Sequence, residues 1–247
     1  MAPSEMIAVV TGSSSGLGRA ICERWRDTNR RCWGIDLRPG EYTDLVGDVQ
    51  DDTFLKQAFE CVAQLGHVDA VFLCAGVLGA RFPDDLASAP EVLSVNVVGA
   101  YASFRTFLPL LASAPRGGAA VFISSISGSR GSPSHPIYAA SKAGVEAMVG
   151  SLAPQAGRQG VRVVGLSPGS IFGTRFSAES TSVDLKLNLL ATNSLPALLG
   201  PEGVAQVAIT LAGPTFSGLT GTTVTLDCGE SLARVVPQTG ASDSTRT

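Results

Sequence analysis

Short apolar runs rich in β-branched residues recur along the chain, at 7–10, 31–35, 70–74, 119–124, 161–166 and 222–226. Longer stretches with a helical pattern lie between them, at 18–28, 53–65, 92–111, 138–155 and 202–211. Near-continuous apolar strands alternating with helices predict an α/β fold: a parallel sheet wound on both faces by helices. In such a sheet, ligands bind beyond the carboxyl ends of the strands, where the strand order reverses.

Composition sharpens this picture. The chain has 247 residues, 45% hydrophobic and 16% charged, which suits one well-buried domain rather than a disordered segment. No stretch reads as a linker. A net charge of -3 leaves no basic footprint, so nucleic acid is not an expected partner. Apolar runs such as 68–77 are too short to span a bilayer and the N-terminus lacks a signal-peptide pattern, so no membrane partner is expected. Five cysteines, without a C-x-x-C, read as reduced core thiols of a cytoplasmic protein. His67 and His135 stand alone, so no metal site is expected. The polar tail 237–247 is expected to fray.

Two segments carry the chemistry. "MIAVVTGSSSGLGRAI" places a buried strand, then Gly12, Gly16 and Gly18, then a helix. That order lets backbone amides approach a pyrophosphate at the helix N-terminus. Asp36 ends the next strand, where a carboxylate can accept hydrogen bonds from an adenosine ribose and repel a 2′-phosphate. No basic residue stands at Ser15 or Leu37 to offset it; Arg38 is the nearby cation. In "IYAASKAGVEAM", Tyr138 and Lys142 share one face of a predicted helix, in a chain with only three tyrosines. A phenol with pKa about 10 is a poor base, and a nearby ammonium is expected to lower it into a useful range.

These residues resemble a known family. Gly12-x3-Gly16-x-Gly18, Asp48-Val49, Asn96, Ser125, Tyr138-x3-Lys142 and Pro168-Gly169 are similar, in order and spacing, to the motifs of the short-chain dehydrogenase/reductases from about residue 6 to 230. The resemblance implies a single Rossmann-like doubly wound domain over 1–236, with about seven strands, carrying both cofactor and substrate sites. It also implies a homo-oligomer, dimer or tetramer. By the same resemblance Ser125 binds the substrate oxygen, Tyr138 is the general acid/base, Lys142 holds the nicotinamide ribose, and Asn96 holds a water linking Lys142 to solvent. NAD is the implied cofactor. Gly12, Ser14, Ser15, Gly16, Leu17 and Gly18 would line its phosphates. Asp36, Leu37, Asp48 and Val49 would face the adenosine. Cys74, Ala75, Gly76, Tyr138, Lys142, Pro168, Gly169, Ile171 and Thr174 would follow it toward the nicotinamide.

The chain departs from the family pattern in places. Leu73-Cys74-Ala75-Gly76 stands where the family often has N-N-A-G, so a sheet-bracing asparagine is replaced by cysteine. The spacing from Asp36 to Asp48 is too short for a helix and strand, so the third strand is expected to be no more than 42–46. Gly173 looks inserted and delays Thr174. Segments 77–86, 126–137 and 170–196 should rim the substrate pocket. The last, with Leu185, Leu187, Leu189 and Leu190, would suit a lid, and "SGSRGSPSHP" reads as a loop with His135 near its end. Few charges on these segments favour a neutral, fairly apolar secondary alcohol or ketone. "GIDLR" and "LCAG" are similar to stretches of bacterial hydroxysteroid dehydrogenases, which allows a cyclic or steroid-like substrate. The alternatives are a reductase of acyl-carrier-bound 3-ketoacyl groups and a non-catalytic dinucleotide-binding regulator.

Overall fold

Five consecutive buried residues form β1 (Ile7–Thr11), and the chain turns through Gly12, at positive φ, into α1 (Gly16–Asp27). This computed structural model describes residues 6–28, 30–174 and 183–232. The order continues with β2 (Arg31–Asp36), β3 (Leu45–Val46), α2 (Asp52–Ala63), β4 (Ala70–Leu73), α3 (Ala89–Leu93) and α4 (Ala100–Ala112). Then come β5 (Ala119–Ile123), α5 (Ile126–Arg130), α6 (Pro136–Gly157), β6 (Arg162–Pro168), α7 (Val183–Thr192), α8 (Pro201–Ala212) and β7 (Thr222–Leu226).

The strands form a seven-stranded sheet in the order β3-β2-β1-β4-β5-β6-β7, with every neighbouring pair parallel. Strand order reverses between β1 and β4, so the connections leave in opposite directions there and a crevice opens at the carboxyl ends. Alternation sorts the core. Ala8 and Val10 face a layer with Ile21 and Trp25 of α1 and Val204 and Leu211 of α8. Ile7 and Val9 face Phe104 and Phe107 of α4 and Val145 and Val149 of α6. Burial on both faces is why the strands read as apolar runs rather than as alternating ones.

The run Asp84–Ala112 has 29 residues and holds an 18-residue window with a mean hydropathy of 1.2, enough by length and composition to cross a membrane, which the shorter runs did not suggest. Its buried Phe104, Phe107, Leu110 and Leu111 pack into the core. The expected helix over 92–111 is broken by a π-helical turn at Ser94–Gly99, which re-aims the chain around Asn96. The expected loop after Ser125 begins instead with α5, because the Ser125 hydroxyl accepts from the Ser127 amide at 3.2 Å and starts a helical turn. Within the expected lid, α7 is helical; residues 175–182 and the tail 237–247 lie outside the described residues.

The trimmed crossover is resolved by side chains. β3 is only two residues long, shorter than the expected 42–46, and the link from β2 holds no helix. The Asp44 carboxylate takes over a ladder bond by accepting from the Gly34 amide at 2.8 Å, and it also accepts from Arg26 at 3.0 Å. The link lies directly on Gly34, where any Cβ would collide with the Tyr42 carbonyl. Asp44→Ala leaves the buried Gly34 amide without its side-chain acceptor and is expected to cost about 1–3 kcal/mol in urea unfolding. Asp44→Asn, which keeps an acceptor oxygen, should lose much less. Equal losses in the two variants would show that the charge, not the ladder bond, holds the link.

Candidate active site

At the nucleotide end, three glycines have steric reasons. A Cβ on Gly12 would come within 2.8 Å of the Ala75 amide nitrogen of the loop after β4. A Cβ on Gly18 would strike the Gly12 carbonyl, and Gly16 sits at φ 54. Ser15, at the N-cap of α1, is extended and makes no side-chain cap bond, and the first turn carries no acid. The amides of that turn, Leu17 and Gly18 included, are therefore left for an anion.

Asp36 is tied into the same structure. One carboxylate oxygen accepts from the Ser14 amide at 2.9 Å and the other from the Arg38 amide at 2.9 Å. Each oxygen keeps a further lone pair for a ribose hydroxyl. Leu37 beside it is 64% exposed at the crevice mouth. The residues present thus fit a dinucleotide: orphan amides for phosphates and a fixed carboxylate for a ribose diol. Asp48 turns to its own Gln50 amide at 2.9 Å, and Val49 is buried against Gly99, so Val49 can offer an adenine its backbone rather than its side chain.

The missing asparagine at Cys74 is compensated from the neighbouring strand. The buried Thr11 hydroxyl accepts from the Cys74 and Ala75 amides, each at 3.2 Å, and so braces β1 against the loop that diverges from it. Burial raises the Cys74 thiol far above the ordinary thiol range. Cys74 is therefore a neutral wall residue.

At the catalytic end, Ser125 follows β5, and Tyr138 and Lys142 lie on the first turns of α6. His135 stands at the N-cap of α6. The Ser125 side chain is hydrogen-bonded to the Tyr138 phenol. The Lys142 amine instead donates to the Ile123 carbonyl at 2.8 Å and lies 5.6 Å from the Tyr138 ring centroid. Asn96 is committed: its Oδ1 accepts from the Val77 amide at 2.8 Å, and its Nδ2 donates to the Val77 carbonyl and the Ser141 hydroxyl, each at 2.9 Å. A Cβ on Gly76 would touch both Asn96 Oδ1 (3.1 Å) and Lys142 Nζ (3.7 Å), so these groups converge on one point. The Thr174 side chain reaches 3.6 Å from a Cβ placed on Gly16, and Ile171 forms an isolated bridge with Leu199. Pro168 ends β6 and Gly169 follows it, and the inserted Gly173 does not carry Thr174 away from the glycine turn.

One electrostatic expectation is corrected. Lys142 was expected to lower the Tyr138 pKa, yet burial pushes the phenol up to about 12, with the Ser125 hydrogen bond opposing it. Burial also pushes the Lys142 ammonium down to about 8. Desolvation outweighs attraction because Lys142 is turned onto β5 rather than onto the phenol.

Residues that sequence reasoning missed act through these. Ser124 Oγ lies 2.9 Å from Glu146 Oε1 and 3.1 Å from the Lys142 carbonyl, its single proton shared between the two acceptors, pinning α6 to β5. Ser141 donates to the Tyr138 carbonyl at 2.7 Å while receiving Asn96. A polar residue closing an apolar strand, as Thr11 and Ser124 do, is the signal that could have found two of them. Among the described residues, no group of three His, Cys, Asp or Glu side chains could hold a metal ion.

The chain is similar to known proteins. The family model described as Enoyl-(Acyl carrier protein) reductase matches residues 14–231. An uncharacterized oxidoreductase of Schizosaccharomyces pombe is 30% identical over 90% of each chain. A 3-oxoacyl-[acyl-carrier-protein] reductase of Chlamydia muridarum is 30% identical over 90% of this chain and 96% of that one. The structure of Thermoplasma acidophilum aldohexose dehydrogenase overlays with a TM-score of 0.86 at 21% identity, covering 94% of this chain and 96% of that one, a likeness of fold. The chain belongs to the short-chain dehydrogenase/reductase family, oxidoreductases that generally bind NAD(P).

The buried amine has a consequence for stability. With a folded pKa of about 8 against 10.5 when exposed, the unfolded chain binds more protons between those values, so stability rises with pH through that window. Below pH 8 the fold carries the full penalty, at most about 3 kcal/mol. Lys142→Met should therefore raise the melting temperature at pH 7, and the gain should shrink as pH climbs toward 10.5. A pH-independent loss of stability would contradict the buried, desolvated amine.

Proposed function

We propose that the protein is an NAD(H)-dependent oxidoreductase that interconverts a secondary alcohol and a ketone, with a neutral, largely apolar substrate. The observation that carries this reading is a fixed carboxylate, Asp36, beside the glycine turn at the N-terminus of α1, at the carboxyl end of the sheet that also carries Ser125, Tyr138 and Lys142. When bound, NAD supplies or accepts the hydride. The Ser125 hydroxyl orients the substrate oxygen. Tyr138 gives that oxygen a proton during reduction and takes one during oxidation. Lys142 leaves the Ile123 carbonyl to meet a ribose hydroxyl, and its charge then favours the phenolate. Asn96, held on both sides of Val77, keeps its remaining acceptor capacity for a water beside Lys142. The half-buried Val77 and the buried Ile126 suit an apolar wall for a cyclic or steroid-like substrate.

A second reading, reduction of an acyl-carrier-bound 3-ketoacyl group, is favoured by the relative from Chlamydia muridarum. Asp36 speaks against the NADP that such enzymes usually prefer. A non-catalytic regulator would have no need of the intact Ser125, Tyr138 and Lys142. Exposed Leu93, Val98 and Tyr101 suit contact with a second copy, in a dimer or tetramer, and the free thiols suit a cytoplasmic setting.

A panel of alcohols and ketones followed by nicotinamide absorbance with both cofactors tests this reading. NAD(H) should exceed NADP(H) in kcat/KM, and Asp36→Ala should erode that preference; an equal or reversed preference in the wild type would contradict the assignment. With the best substrate, Tyr138→Phe should cut kcat by at least about a hundredfold and leave NADH affinity nearly unchanged. Lost affinity with unchanged turnover of bound cofactor would reject Tyr138 as the acid/base.

A further inference from the structure

The turn that follows β7 reaches back to the crevice. Asp227 anchors it, accepting from the Gly229 amide at 2.9 Å and the Ser231 amide at 2.7 Å. Cys228 at φ 54 and Gly229 at φ 79 bend the chain sharply, so that Glu230 lies against the end of β6. Its carboxylate accepts twice from one residue: from the Ser170 amide at 2.8 Å and from the Ser170 hydroxyl at 3.0 Å. Its own carbonyl accepts from Arg130 at 2.9 Å, at the end of the short helix that Ser125 caps. The same turn offers the Cys228 carbonyl to the Leu195 amide at 2.9 Å, beyond α7. Space here is tight, since a Cβ on Gly169 would come within 2.7 Å of the Glu230 carboxylate.

We propose that Glu230 is a positioning residue for the nicotinamide end of the crevice, an inference that rests on the functional reading above. Ser170 stands between Gly169 and Ile171, which by the family resemblance follow the cofactor toward the nicotinamide. A two-point grip on Ser170 removes the freedom of that backbone to rotate, and it uses up the Ser170 amide and hydroxyl, leaving the Ile171 backbone to face the carboxamide. Through its carbonyl and Arg130, Glu230 also joins this wall to the Ser125 wall. One residue thus sets the spacing between hydride donor and substrate oxygen, a spacing to which turnover is sensitive at the ångström level.

The test compares Glu230→Ala and Glu230→Gln with the wild type in the full chain. Gln keeps an acceptor for the Ser170 amide and can donate to its hydroxyl, so it is the conservative rescue. Without cofactor, hydrogen–deuterium exchange of peptides covering 168–174 should quicken about tenfold in Glu230→Ala and stay near wild type in Glu230→Gln. With NADH, fluorescence titration should show an affinity loss of about tenfold in the alanine variant and much less in the glutamine variant. The primary isotope effect on kcat with 4-deuterated NADH should rise in Glu230→Ala, because hydride transfer becomes slower relative to release. If Glu230→Ala does not fold, Ser170→Ala removes the hydroxyl contact while keeping the amide one, Arg130→Met removes the link to the Ser125 wall, and each should give smaller effects of the same kind. Wild-type protein that bound neither NADH nor NADPH would overturn the functional reading. Wild-type protein that bound NADH, with alanine variants matching it in exchange, affinity and isotope effect, would overturn the clasp alone.

Discussion

The amine of Lys142 is carried, buried, into the carboxyl edge of the sheet, where it donates to the Ile123 carbonyl. Such a group is costly in its charged form, and the surrounding architecture makes the position possible. Ser124 pins the lysine's helix to β5 through Glu146, and Ser141 ties Asn96 to the backbone of Tyr138. Gly76 leaves the space in which Asn96 and Lys142 converge. The fold thus holds a destabilised pair, a raised phenol and a lowered ammonium, that a positively charged nicotinamide and a ribose would rebalance.

The nucleotide end follows a different logic, in which backbone amides are left open rather than side chains being left desolvated. Ser15 does not cap α1, and Asp36 spends one hydrogen bond on Ser14 and one on Arg38, so that the carboxylate and the glycine turn hold each other in place. The shortened link from β2 to β3 contributes to this rigidity. Asp44 supplies a ladder bond that a longer strand would make with its backbone, and the Gly47 amide donates to the Asp36 carbonyl at 2.9 Å. Losing a helix on this edge therefore does not loosen the residue expected to select the cofactor.

Much of this was legible in the sequence because burial on both faces of a parallel sheet leaves a strong mark. Every strand-like run became a strand, and the glycines, Asp36, Tyr138 and Lys142 came to one crevice in the order the motifs implied. Three features escaped. The π-helical turn around Asn96 depends on packing between Val77 and Ser141, which are far apart in the chain. The direction of the Tyr138 shift depends on which way Lys142 points, and a four-residue spacing on a helix does not settle that. The Glu230 clasp joins residues 60 and 100 positions apart, and nothing local to "DCGESL" signals either partner.

The central claim is that burial holds Tyr138 protonated until the cofactor arrives. The direct measurement is the ultraviolet tyrosinate signal of wild type minus Tyr138→Phe, titrated from pH 7 to about 10.5 with and without saturating NAD⁺. Burial predicts almost no tyrosinate from Tyr138 in the free protein, whose phenol lies near 12, and a clear signal rising within that range once NAD⁺ is bound. A phenol that ionised at or below the ordinary tyrosine value without NAD⁺, or that NAD⁺ failed to shift, would contradict it.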